Sequence, residues 1–259
     1  MKSKFRSLEL SDPRFTPEGL RFITVGSPAL NGRGDLLLAL PKRLPKKPLA
    51  RILLLHGMYG SSWNWALKAG VHKIARRMAS SGSVPDFALI MPSDGLWGNG
   101  SAYRKHHGID FEKWVMKDAL GAAAELFPKW KLSGPLFLCG LSMGGYAALN
   151  LGARHSKTVR AISAHSPSTS ITTLNGGVGP KVPGPAGLLD RELLKAKKLP
   201  PLRFDCGTED FHITVCRQLH ATLEKKGVKH AYDELEGGHD WPYWERNFPR
   251  SLKFFAEHI

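Results

Sequence analysis

Cysteine is scarce in this chain of 259 residues: Cys139, Cys206 and Cys216 are the three it has. An odd, small number excludes a disulfide-stapled scaffold and fits buried free thiols in a reducing compartment. Long apolar runs are also missing. None approaches the roughly 18 residues that a membrane-crossing helix needs. Met1 to Ser11 holds no apolar h-region, so no secretory signal is expected and a cytoplasmic location is. Acidic residues are few, 22 against 37 Lys and Arg, giving a formal net charge of +15. The basic residues are spread along the chain, with one small cluster at Lys42 to Lys47 that Leu44 and Pro45 interrupt. No zinc-finger spacing, aromatic–basic RNA motif or basic helix accompanies them. The charge therefore reads as a solvated surface that attracts anionic substrates or polymers, rather than as specific nucleic-acid binding. No internal repeat and no domain boundary interrupt the chain.

What is present is alternation. Apolar, strand-like runs at Leu20–Val25, Asp35–Leu40, Ile52–Leu55, Phe87–Met91, Leu136–Cys139, Val159–Ala164, Pro201–Cys206 and Ala231–Leu235 are separated by segments of helical period. Those segments are Trp65–Ser80, which Gly70 weakens, Phe111–Phe127, a helix after Ser142, Ala186–Lys197, Ile213–Lys226 and Tyr243–His258. The pattern predicts an α/β fold: a mostly parallel twisted sheet, antiparallel at its start, with helices on both faces and no large lid domain. One domain over 1–259 is expected, with 1–19 as an N-terminal extension. The Gly-, Pro- and Lys-rich stretch 166–200 is expected as a variable loop and helix near the site.

Gly140-Leu-Ser142-Met-Gly144 matches G-x-S-x-G. The match alone is weak, since glycine and serine are common. The apolar run before it and the small-residue helical pattern after it supply the context of a nucleophile elbow. Such a turn lifts the serine hydroxyl out of the sheet, while the helix start aims N–H groups at the same point. The bland alternative is a glycine-rich turn with an inert serine.

A serine needs a base and an acid, which in this chain order follow it as Asp or Glu and then His. Glu209 and Asp210 both lie on the loop after the Pro201–Cys206 run, and either could be the acid. Of eleven histidines, His239 has the right order, lies on the loop after Ala231–Leu235, and follows Gly237-Gly238. All these residues fall beyond C-terminal strand ends, where α/β sites form. The second oxyanion donor should come from the loop opened by His56-Gly57. The backbone N–H groups of Met58 and Met143 are the candidates, with Tyr59 as neighbour. Tyr59, Trp63, Trp97, Tyr103 and Trp241 are candidate pocket residues, though each is individually more often a packing residue. Ser93–Gly108 is a long loop, and long loops are often functional. His106-His107 has no second ligand cluster at metal spacing, so no metal is assigned.

Several pieces together resemble the esterase D branch of the α/β-hydrolase superfamily. They are Leu-Leu-His56-Gly57 with Ser-Trp63 soon after, Gly-Leu-Ser142-Met-Gly-Gly-Tyr146, Cys-Gly-Thr-Glu-Asp210-Phe, and Gly-Gly-His239-Asp-Trp241-Pro-Tyr-Trp244. That branch holds S-formylglutathione hydrolases, short-chain carboxylesterases, feruloyl and acetyl xylan esterases, and mycolyl transferases. The resemblance runs from about Leu20 to the C-terminus and favours Asp210 over Glu209. It implies a Ser142, Asp210, His239 triad, Met58 and Met143 as oxyanion donors, and no cofactor. The expected activity is a serine carboxylesterase acting on short-chain or aromatic acyl esters, small or glycan-linked. Acyl transfer or thioester hydrolysis would use the same groups, and a carbohydrate- or polymer-binding protein on a hydrolase scaffold is the alternative of another class. Segment 166–200 shows no family pattern, so the natural ester, the acyl length limit and the oligomeric state stay open.

Overall fold

The computed structural model describes residues 3–17, 19–170, 189–196 and 198–259. Most of the stretch expected as a variable insertion, 166–200, lies outside the described residues.

Among the described residues, nine strands form one sheet. In chain order they are β1 (Leu8–Leu10), β2 (Leu20–Ser27), β3 (Gly32–Ala39), β4 (Ala50–Leu55), β5 (Phe87–Pro92), then β8 (Leu136–Leu141), β9 (Val159–His165), β10 (Leu202–Gly207) and β11 (Ala231–Leu235). A two-stranded hairpin, β6 (Lys105–His106) and β7 (Ile109–Asp110), stands apart from it. The spatial order is β1-β2-β3-β5-β4-β8-β9-β10-β11. β1, β2, β3 and β5 pair antiparallel, and from β5 to β11 every pairing is parallel. The fully buried runs of β5, β8 and β10 reflect cover on both faces, which near-continuous apolar strands require.

One face packs β3, β4 and β8 residues Leu38, Leu53 and Leu138 with Trp114, Tyr146 and Leu149. The other packs Leu37, Ile52 and Phe137 with Trp65, Ile74, Phe248 and Phe255. Adjacent residues of a strand thus serve opposite cores, as the two-residue period of a pleated strand demands.

The expected single helix over Trp65–Ser80 is two, α1 (Asn64–Lys68) and α2 (Val71–Ser80). Gly70, at φ 58°, turns the chain between them in a conformation that costs glycine nothing. The helix expected at Phe111–Phe127 is α3 (Phe111–Lys113), a π segment Trp114–Ala119 and α4 (Leu120–Leu126). Within that segment the Trp114 Nε1–H reaches the Ser93 carbonyl at 2.8 Å, anchoring the loop after β5. The remaining α-helices among the described residues are α5 (Met143–Arg154), α6 (Leu189–Lys195), α7 (Ile213–Lys225) and α8 (Trp241–Ala256). α8 begins two residues earlier than the sequence suggested, because the Asp240 carboxylate accepts the Tyr243 N–H at 2.9 Å and caps it.

Candidate active site

β8 runs into α5 through Ser142, whose φ of 53° and ψ of −118° lie where a side chain is strained. Two glycines make this turn fit. A Cβ at Gly140 would collide with the Gly144 carbonyl, and one at Gly144 would collide with the Leu55 carbonyl. The turn is held by its own backbone. The Ser142 N–H donates to the His165 carbonyl (3.0 Å), and the Ser142 carbonyl accepts from Tyr146 (3.0 Å) and Ser168 (3.1 Å). The side chain is half-buried and lines a cavity of about 460 Å³.

His239 lines the same cavity. Its Nδ1 lies 2.8 Å from Asp210 Oδ2, so Nδ1 carries the proton and donates, and Nε2 is left as the basic nitrogen. Asp210 is buried behind it, and its other oxygen accepts the His212 N–H at 2.7 Å. Burial pushes the Asp210 carboxyl upward. The hydrogen bonds from His239, the His212 N–H and Ser166 outweigh it, so the group is held below the ordinary carboxylate range. Glu209, the other sequence candidate, is exposed, and its N–H is spent on the Gly237 carbonyl. The imidazole of His239 stands among Phe211, His212 and Trp244, with ring centroids at 4.3, 4.8 and 5.0 Å.

The loop after β4 brings Gly57, Met58 and Tyr59 to the wall of the same cavity. The Tyr59 N–H already donates to the Asn99 carbonyl at 2.8 Å. Among the described residues the Met58 N–H has no backbone partner. Met143 is the first residue of α5, where N–H groups lack intrahelical acceptors. His56 takes no part in the cavity. Its Nδ1 donates to the Gly57 carbonyl (2.7 Å) and its Nε2 accepts the Asp94 N–H (3.0 Å), the pattern of a neutral ring. Burial holds its pKa below the ordinary histidine value.

Of the five aromatic pocket candidates, Tyr59 and Trp241 line the cavity. Trp63, Trp97 and Tyr103 are not among the residues that line it. Trp63 is outward-facing and exposed. Trp97 packs on His106, His107 and Phe111. Tyr103 is buried, and its hydroxyl donates to the His56 carbonyl at 3.2 Å. Sequence reasoning had no means of orienting aromatics inside a loop, where no periodicity applies. It also left out Phe211, His212, Ser168 and Trp244 as wall residues. Phe211 and His212 directly follow Asp210, and Trp244 lies one helical turn into α8, so proximity to the proposed acid and base was the available signal.

Asp210, His212 and His239 offer ligand atoms within 4.8 Å of one another. Two of these groups are committed to each other, and His212 Nδ1 faces the Ser166 carbonyl at 3.1 Å, to which it can only donate.

A mostly parallel sheet with a strained serine on the turn after a central strand, and a histidine–carboxylate pair beyond later strands, defines the α/β-hydrolase class. The comparisons narrow this. The family described as "Putative esterase" matches residues 27–255. An acetyl esterase of Caldicellulosiruptor saccharolyticus is 26% identical over 241 residues, covering 83% of this chain and 86% of that one. A solved ferulic acid esterase superposes with a TM-score of 0.78 at 24% identity, over 93% of this chain and 98% of that one. The S-formylglutathione hydrolase FrmB of Staphylococcus aureus gives 0.74 at 19%, over 91% and 97%. The chain belongs to this esterase family.

Proposed function

We propose that this protein is a serine carboxylesterase in which Ser142 attacks the acyl carbon, His239 moves the protons and Asp210 orients and charges-balances His239. The observation that carries the assignment is the 2.8 Å contact between His239 Nδ1 and Asp210 Oδ2, on the wall of the cavity that Ser142 also lines. Asp210 fixes the tautomer, so His239 Nε2 accepts the serine proton during attack and returns it to the leaving alcohol. The tetrahedral oxyanion is stabilised by the Met58 and Met143 N–H groups. Water then enters, His239 removes a proton from it as its oxygen attacks the acyl carbon, and that proton returns to Ser142 Oγ as the acyl–serine bond breaks and the acid leaves. No cofactor takes part in these steps.

Short or aromatic acyl groups suit the wall, which offers Trp241, Trp244, Phe211 and Tyr59 around a space of about 460 Å³. The names of the relatives, acetyl esterase and ferulic acid esterase, point the same way. No helix among the described residues is long and apolar enough to cross a membrane. The three free, buried cysteines support a reducing compartment.

The test is hydrolysis of p-nitrophenyl acetate by the parent and by Ser142→Ala, together with labelling by a fluorophosphonate probe. The expected result is loss of labelling and a fall of at least about 10³-fold in kcat/KM. A Ser142→Ala protein as active as the parent would sink the assignment.

A further inference from the structure

One part of the cavity wall has no role in the steps above. Asn64 and Lys68 are the first and last residues of α1, four apart, and so lie on one side of it. Both line the cavity that holds Ser142 and His239. The Asn64 Oδ1 accepts the Ser61 N–H at 2.7 Å, which fixes the amide and leaves its NH₂ as a donor. Among the described residues that NH₂ has no hydrogen-bond partner. The Lys68 ammonium lies over the Trp241 ring, 5.5 Å from its centroid. Among the described residues Lys68 makes no ion pair. The ring contact holds the charge beside the residue that flanks the His239 loop.

Acceptors are scarce on this wall. No Asp or Glu lines the cavity among the described residues. Two acids that directly precede wall residues, Asp210 before Phe211 and Asp240 before Trp241, are spent elsewhere: Asp210 on His239 and the His212 N–H, and Asp240 on the cap of α8. A lysine that only closes a short helix would explain the charge, yet not a neighbouring fixed amide donor on the same cavity wall. Two donors and one positive charge make a set that a carboxylate completes with charge-assisted hydrogen bonds. The excess of basic residues over the whole chain adds long-range attraction for the same kind of molecule.

We infer that Asn64 and Lys68 form a carboxylate-binding subsite, and that the preferred substrates are esters that carry a free carboxylate. The inference rests on the esterase reading of the same cavity and names its substrate class. The carboxylate can belong to the acyl part or to the alcohol part, and the substrates below separate the two.

The experiment compares kcat/KM for two pairs of esters at low ionic strength, with uncatalysed rates subtracted. For the acyl side the pair is 4-nitrophenyl hemiglutarate and 4-nitrophenyl butyrate. For the alcohol side it is 4-acetoxybenzoate and phenyl acetate. Each is run with the parent, Lys68→Met, Lys68→Arg and Lys68→Glu. In at least one pair the anionic-to-neutral ratio should fall about five- to tenfold in Lys68→Met. It should fall further in Lys68→Glu and be largely restored in Lys68→Arg. The parent's ratio should also drop in 0.5 M NaCl, while that of Lys68→Met stays flat. The pair that responds identifies the side that carries the carboxylate. Ratios that are the same in parent, Lys68→Met and Lys68→Glu for both pairs overturn the subsite. Failure of the esterase reading itself would show separately, as neutral esters hydrolysed no faster by the parent than by Ser142→Ala.

Discussion

The backbone N–H of Ser142 donates to the carbonyl of His165 at 3.0 Å, which ties the elbow to a second, sealed histidine–carboxylate pair. His165 Nδ1 lies 3.0 Å from Asp205, and its Nε2 lies 2.8 Å from the Ser251 hydroxyl. Arg203 and the Tyr243 hydroxyl also donate to Asp205, at 2.8 and 2.9 Å. All five residues are buried, and none lines the cavity. The group has the parts of a triad without access to substrate, so it serves to fix the ends of β9 and β10.

This cluster predicts a pH dependence of stability. Burial alone would lower the His165 pKa, but the Asp205 carboxylate overrides it and raises it to about 9. Burial likewise pushes Asp205 up, and His165 and Arg203 override it, bringing it to about 2. A histidine that binds its proton more tightly when folded contributes fully below its ordinary value of about 6.5. That contribution is lost as pH climbs through about 9. Asp205 contributes fully above about 4 and loses its share as pH falls toward 2. The pair thus favours the fold most between about pH 4 and 6.5. His165→Gln should cost about 3 kcal/mol at pH 6, a fall in Tm of roughly 6–12 °C for a chain of this size. The gap to the parent should narrow by pH 9.5. Thermal melts that show the same gap at both values would refute the charged pair.

Two glycines separate steric need from conformational need. At Gly144 a Cβ would strike the Leu55 and His56 carbonyls, which are backbone and cannot step aside. At Gly70 nothing lies within 4 Å, and only the φ of 58° disfavours a side chain. Gly144→Ala should therefore cost about 3 kcal/mol or more, lowering Tm by at least about 6 °C, and should disable the elbow. Gly70→Ala should cost about 1 kcal/mol and leave kcat/KM within about twofold. Paired melts and p-nitrophenyl acetate assays check both. Equal effects on stability would contradict the steric account.

Much of this was readable from residues in order. The run Leu136–Cys139 followed by small residues from Met143 announces a buried strand and a helix packed against a sheet, because only those residue types fit there; the strand extends to Leu141. Ala231–Leu235 could be bounded by the turn formers on either side. Gly70 weakened a helical pattern, and the structure breaks the helix at that point. Other features leave no periodic trace. The π segment Trp114–Ala119 adds one residue to a turn for the sake of Trp114 and Asp118, both buried. β1 is three residues long and barely covered, so its pairing is set by register with Val25, Thr24 and Ile23 rather than by composition. The burial of Tyr103 under His56 depends on a contact between residues 47 apart, which no local pattern can encode.

The acid of the proposed triad can be separated from its neighbour. Asp210 is buried and bonded to His239, while Glu209 is exposed. Asp210→Asn would present an N–H or a neutral oxygen to His239 and destabilise the tautomer that leaves Nε2 basic. kcat/KM should fall by about 10²- to 10⁴-fold with the fold intact. Glu209→Gln should stay within about twofold. Kinetics on p-nitrophenyl acetate, with circular dichroism as the folding control, decide between them. A large loss in Glu209→Gln and none in Asp210→Asn would reverse the assignment.

The loop after β5 holds the proposed oxyanion donors in place, and Asp94 holds the loop. Its carboxylate accepts the Leu96 N–H (2.9 Å) and the Ser101 N–H (2.5 Å), and its carbonyl accepts the Ser101 hydroxyl (2.6 Å). Its own N–H binds His56, which is bonded in turn to the Gly57 carbonyl. From this loop the Asn99 carbonyl fixes the Tyr59 N–H, and Gly100 approaches Met143 and Met58 closely enough that a Cβ there would strike the Met143 sulfur. Asp94→Ala leaves two N–H groups without their acceptor, a cost of about 2–4 kcal/mol. It also loosens the loop that, in the proposed mechanism, sets the Met58 N–H against the reacting carbonyl. Misplacing such a donor acts on the transition state more than on bound ester. kcat should therefore fall about 10²-fold with KM changed less than about threefold, measured well below the variant's Tm. Asp86→Ala, on the exposed turn before β5, serves as the control. If the loss in Asp94→Ala instead matches the fraction of protein unfolded, the loop is a stabilising element with no part in placing the donors.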